Sequence, residues 1–165
     1  MAVQLLEPAS RLPMLMQPAT PPYTQHITWG YRHDKQGNWA LTNYGRRSAA
    51  VAQRILLRYV LGYETRAELA QRYSLSEREI QAIVTGERTH WFTDPVRERL
   101  MLNGIGNARM NRSDARAAEV RRALEHHAAL ATSVLRWPKR YSVEQRREIY
   151  TDLYLLSGAW RSDEQ

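Results

Sequence analysis

The stretch Arg66-Ala67-Glu68-Leu69-Ala70-Gln71-Arg72-Tyr73-Ser74-Leu75-Ser76-Glu77-Arg78-Glu79-Ile80-Gln81-Ala82-Ile83-Val84-Thr85 reads as two short helices joined by a tight turn. Leu69, Tyr73, Leu75, Ile80 and Ile83 supply the apolar positions that two helices crossing near a right angle must cover. Ala70 puts a small side chain where the two backbones approach. Ser76, with Glu79 three residues on, fits a capping box, in which hydroxyl and carboxylate each accept from the other's backbone amide. The second helix therefore opens there and ends near Gly86. At the turn stands Ser74, for which a left-handed backbone is strained.

Upstream, Ser48 suits an N-cap; Val51, Ile55 and Tyr59 recur every four residues, and Gly62 sits where a C-capping glycine belongs. Downstream, Asp94-Pro95 is expected to open a short helix, with Asp as cap and Pro at the first helical position, stopping at Asn103-Gly104. After a loop to about Arg112, Ser113-Asp114 opens a long helix rich in Ala and Arg that reaches Arg136, where Pro138 forces a break. Ser142 and Gln145 repeat the capping pattern, and a last helix runs to Ser157 with Gly158 behind it. Ile149, Leu153, Leu156 and Trp160 form its apolar stripe. These two helices are expected to pair as an antiparallel hairpin. No internal repeat stands out.

Residues 1–22 hold five of the seven prolines, which excludes helix and central strand and makes this stretch an arm. Its Leu and Met residues make it too apolar for a plain linker, so it lies on the body, on a partner, or free. Its removal is expected to leave the fold intact. Ile27–Arg32 and Trp39–Tyr44 read as two strands around the polar loop His33–Asn38. The expected class is therefore mainly α: the arm, a β-hairpin over 23–47, a helical core over 48–103 and a helical pair over 113–160.

At 165 residues the chain fits one domain, or one with an appendage. No apolar run is long enough to span a membrane. The absence of cysteine removes disulfides, thiolate zinc sites and thiol nucleophiles. Met1–Met16 lacks a basic start and is broken by Pro8 and Pro13, so it does not read as a secretory signal, and the expected address is a cytoplasm. The net charge is +7 and the sequence pI about 10.0. Arg dominates the cations, Lys35 and Lys139 being the two lysines. The guanidinium fork binds phosphate and guanine bidentately, and a basic balance in a chain of this size points to a polyanionic partner.

The Arg66–Thr85 pattern resembles the helix-turn-helix of bacterial and phage DNA-binding proteins. Ser74 stands where that family usually has Gly. The tail Ile83-Val84-Thr85-Gly86-Glu87-Arg88-Thr89-His90-Trp91 is similar to the ending of phage modules of this kind. The resemblance covers about Ser48–Trp91. It implies that Arg66–Arg72 crosses the phosphates while Ser76–Gly86 enters the major groove. Ser76, Glu77, Arg78, Gln81, Ala82 and Thr85 would then face the bases. Arg78 suits guanine O6 and N7, Gln81 suits adenine, and Ala82 suits a thymine methyl. Glu77 would accept from cytosine N4, while Glu79 belongs to the capping box. Arg72, Arg88 and His90 would position the DNA backbone.

Arg46 and Arg47, with Arg32 and Lys35, form a second basic region interleaved with Trp29, Tyr31, Trp39 and Tyr44. It suits phosphates or unpaired bases; alternatively the aromatics are the hairpin's packing face. Gly104-Ile105-Gly106 resembles the turn of a helix-hairpin-helix, though an ordinary loop fits as well. His126 and His127 point about a hundred degrees apart and make no two-ligand metal face. Phosphate-loop, zinc-protease and nucleophile-elbow motifs are absent from the sequence. The expectation is thus a non-enzymatic duplex-DNA binder and transcription regulator, with no cofactor or metal. A homodimer through the C-terminal helices, or a protein partner such as RNA polymerase, accompanies it. Two other classes compete: a DNA-handling assembly component (small terminase-like or a transposition accessory), and a protein-binding inhibitor or adaptor.

Overall fold

A computed structural model describes residues 13–18, 31–33, 35–36, 39–41, 43–87, 90–105 and 114–164. Among these residues six α-helices carry the fold: α1 (Asn43–Val60), α2 (Arg66–Tyr73), α3 (Glu77–Thr85), α4 (His90–Leu102), α5 (Asp114–Arg136) and α6 (Val143–Ser157). Short 3-10 turns follow α5 at Pro138–Arg140 and α6 at Ala159–Glu164.

The N-terminal β-hairpin is corrected: it is not a component of this fold, which is helical throughout its core. What remains is a three-residue antiparallel pairing, Tyr31↔Leu41, Arg32↔Ala40 and His33↔Trp39. The second expected strand fails because Asn43 and Tyr44 already belong to α1, which begins five residues before Ser48. A ribbon this short has no face with which to build a layer. The segment carrying Arg46 and Arg47 is helical and belongs to the start of α1.

Helix α1 is the centre. From Ala49 to Val60 it is buried almost all round, as a helix must be when neighbours cover every side. One continuous apolar cluster draws on all six helices, with Ile55, Leu56 and Leu57 of α1 meeting Leu69, Ile80, Val96, Ala123 and Leu155. Trp91 and Phe92 pack on Ala49 and Ala52. That burial extends α4 back to His90, so Pro95 lies inside the helix and does not open it.

The C-terminal helices belong to the same body. Leu156 and Trp160 enter the main core, while Ile149 and Leu153 pack with Ala131 and Val134 of α5. The stripe that suggested dimerisation is covered from within the chain. Gly158 (φ 75°) makes the closing turn possible, since a Cβ there would stand 2.5 Å from the Tyr63 hydroxyl.

Residues 13–18 lie on α1. The Gln53 carboxamide oxygen accepts from the amides of Leu15 (2.9 Å) and Met16 (3.2 Å), and its nitrogen donates to the carbonyls of Met16 and Phe92. Arg54 donates to the carbonyl of Pro13 at 2.7 Å.

Candidate nucleic-acid interface

Helices α2 and α3 are each opened by a complete capping box. Thr65 accepts from the Glu68 amide while Glu68 accepts from that of Thr65, and Ser76 and Glu79 repeat the exchange. The second pair was read from its spacing; Thr65–Glu68 obeys the same rule, was equally legible, and was missed. Between the helices Ser74 adopts φ 55°, ψ 45°, the left-handed conformation at which an L side chain is strained. The Leu75 amide, 3.0 Å from the Ala70 carbonyl, closes the turn.

On α3, Ile80, Ala82 and Val84 are buried and Ile83 is half-buried. Ala82 is therefore removed from the base-facing set: it is 7% exposed and cannot present its methyl to a groove. The outer face keeps Ser76, Glu77 and Arg78, all exposed, with Gln81 and Thr85 half-buried beside them. The Ser76 hydroxyl is engaged in its cap, and the Thr85 hydroxyl donates to the Gln81 carbonyl at 2.8 Å. Arg66 donates to the Gln81 side-chain oxygen at 2.5 Å, lashing α2 to α3 across their outer side. Sequence reasoning gave Arg66 no individual role, because its partner lies fifteen residues away on another helix. Arg78 has no hydrogen bond or ion pair among the described residues.

The backbone-positioning set is divided. Arg72 is half exposed but already held by both oxygens of Glu64, at 2.9 and 2.8 Å. That hydrogen bond raises its pKa; at Glu64 burial works upward, yet Arg72 and Arg58 bring the carboxyl below its ordinary value. A phosphate at Arg72 must compete with Glu64. His90, half-buried, sits edge-on to Trp91 and close to Gly86 at the end of α3. Lys35 is exposed. The side chains of Arg32, Arg46 and Arg47, and all of Arg88, lie outside the described residues. Arg97, which the motif reading passed over, donates to the Val84 carbonyl at 3.0 Å and secures the last turn of α3; burial lowers its pKa.

Among the described residues, no three His, Asp or Glu side chains converge on a point where a metal could sit, and no helix is long and apolar enough to cross a membrane. Comparison with family models, curated proteins and solved structures found no match to this chain.

Proposed function

We propose that this chain is a sequence-specific duplex-DNA-binding protein, a transcription regulator of bacterial or phage type that inserts α3 into the major groove while α2 spans the phosphates. The observation that carries the reading is the α2–turn–α3 unit. Two capped helices meet at a left-handed turn, and Arg78 extends, unpartnered among the described residues, from the first turn of the second. A recognition helix reads bases from its N-terminal residues, and an Arg there takes guanine by two hydrogen bonds. The lash from Arg66 to Gln81 holds the two helices in one geometry. The overall charge of +7 adds sequence-independent attraction to phosphate.

The test is selection of bound sequences from random duplexes at stated salt, repeated with Arg78→Ala. That variant should lose about five- to 150-fold of preference at one base pair, the worth of a bidentate contact, with random-duplex affinity little changed. Ile80→Ala is the structural control: Ile80 is fully buried, and the substitution should cost roughly 2–5 kcal/mol of stability. An Arg78→Ala protein keeping its full preference would remove α3 from the major groove.

A further inference from the structure

We propose a second nucleic-acid contact at the tip of the α5–α6 hairpin, where Trp137 offers a stacking face to an unpaired base and Arg136, Lys139 and Arg140 take the flanking phosphates. For the class of its partner the proposal rests on the DNA-binding reading above. Its site is separate.

Residues 113–165 are nearly neutral as a whole, but their charge is segregated. Arg136, Lys139, Arg140, Arg146 and Arg147 lie against Glu144 alone between residues 136 and 147. The stretch 148–165 carries Glu148, Asp152, Asp163 and Glu164 against Arg161. Arg136, Lys139 and Arg140 are exposed and form no ion pair among the described residues. In their midst Trp137 is 44% exposed, with the guanidinium carbons of Arg140 and Arg136 4.7 and 5.3 Å from its ring centre.

The tip is also built rigidly. The Trp137 amide donates to the Ser133 carbonyl at 2.8 Å, the Arg140 amide donates to Trp137, and the Tyr141 hydroxyl donates to the Ser133 hydroxyl at 2.7 Å. Pro138 and the Ser142 cap restrict the turn from both sides. Helix α5 leaves the main core at Ala123 and Leu124, so at 1.5 Å per residue the tip stands about 20 Å beyond it. Trp137 belongs neither to that core nor to the smaller cluster of Ala131, Val134 and Ile149 on which Tyr141 packs. An exposed ring flanked by exposed guanidinium groups attracts a planar ligand that carries negative charge beside it. Paired bases offer no free face, whereas unpaired ones stack on aromatic side chains with little regard to sequence.

The experiment titrates the full chain into fluorescein-labelled oligo-dT of about twelve nucleotides, within the site sizes such surfaces cover. A duplex of about twenty base pairs and phosphatidylcholine–phosphatidylserine vesicles run in parallel. Trp137→Ala should weaken oligo-dT binding roughly tenfold, consistent with loss of one stacking partner. Trp137→Phe, which keeps a ring, should stay within about twofold of the parent. Duplex affinity and the unfolding midpoint should be unchanged in both. The proposal is overturned if the parent does not bind oligo-dT, if both variants match the parent, if duplex binding falls equally, or if only vesicle binding responds. Arg78→Ala separates the two sites. Loss of duplex preference with an indifferent Trp137 removes the tip alone; Trp137-dependent oligo-dT binding without duplex binding removes the α3 reading alone.

Discussion

Arg58, near the end of α1, is ion-paired with Glu164, 106 residues further along the chain. The same carboxylate accepts from the Tyr73 hydroxyl at 2.8 Å and lies 3.3 Å from Nε of fully buried Arg54. Burial and the Glu164 hydrogen bond together raise the Tyr73 pKa, so the phenol stays a donor. This carboxylate faces two buried guanidinium groups and ties the closing turn to α1 and α2. Arg58 also pairs with Glu64 at 2.7 Å, whereas for Arg54 Glu164 is the ion-pair partner among the described residues. Removing one partner of a buried pair costs about 3–5 kcal/mol, because the other charge is left stranded. Glu164→Ala should accordingly lower the thermal midpoint by roughly 10 °C. Asp163→Ala, next door and exposed, should shift it by no more than about 2 °C. Equal small shifts for both variants would show that Arg54 finds water or another partner and that Glu64 suffices for Arg58.

Truncation of the N-terminal arm has a different expected outcome from the one its prolines suggested. Gln53 and Arg54 are fully buried, and their amide and guanidinium groups reach Pro13, Leu15 and Met16. Deleting residues 1–18 removes those hydrogen bonds together with the cover that Leu15 and Met16 give the core, at about 1–3 kcal/mol for each polar group left without a full partner. Deleting residues 1–12 leaves all of these contacts in place. The longer truncation should melt at least about 5 °C below the shorter one in thermal unfolding. Coincident curves would return residues 13–18 to the status of an appendage.

Legibility followed sequence distance. Caps are local, so Ser76–Glu79 and Ser142–Gln145 were readable from spacing, as were the breaks at Pro138 and Gly158. Strand and helix compete over short windows, and the alternation at Trp39–Tyr44 could not reveal that α1 would absorb Asn43 and Tyr44. Ala82 was misplaced because helical periodicity defines a stripe without saying how widely neighbours cover it. In the folded chain the buried arc takes in Ala82. The stripe ending in Trp160 was visible, but its occupant was not, since apolar periodicity looks the same whether the cover is α1 or a second molecule. The polar links Arg58–Glu164 and Arg99–Asp152 join residues too far apart for any spacing rule.

Ser74 offers a gain in stability. Its left-handed backbone costs an L residue about 1–2 kcal/mol, and glycine adopts it freely, though with greater entropy to lose on folding. Ser74→Gly should therefore stabilise the protein by roughly 0.5–1 kcal/mol in denaturant unfolding, with the slope unchanged. Ser74→Val should destabilise it, because a β-branched side chain fits this region poorly. A glycine variant less stable than the parent would mean that the serine hydroxyl supports the turn in a way its backbone angles do not reveal.

His127 makes stability depend on pH. It lies at the joint of α4, α5 and α6, 6% exposed, with Nε2 hydrogen-bonded to the side-chain Oδ1 of Asn103 and Nδ1 buried without a partner among the described residues. Asp152 stands 3.7 Å away but is already held by Arg99. Burial lowers the imidazole pKa; Asp152 opposes this, and His126 and Arg99 reinforce it. The folded state therefore binds this proton less readily than the unfolded chain, whose imidazole titrates near 6.5. Stability is full above that value and falls as the pH drops through it, at a slope approaching 1.4 kcal/mol per pH unit until the folded-state ring is itself protonated. Glu64, whose carboxyl is held below its ordinary range, titrates lower and leaves this window clear. Unfolding midpoints of the parent and of His127→Gln, measured from pH 8 to 5, read the effect. The parent should lose stability across that range, while the glutamine variant, which keeps an amide for Asn103 but has no proton to gain, should follow a flatter profile. Parallel profiles would assign the pH dependence to other groups.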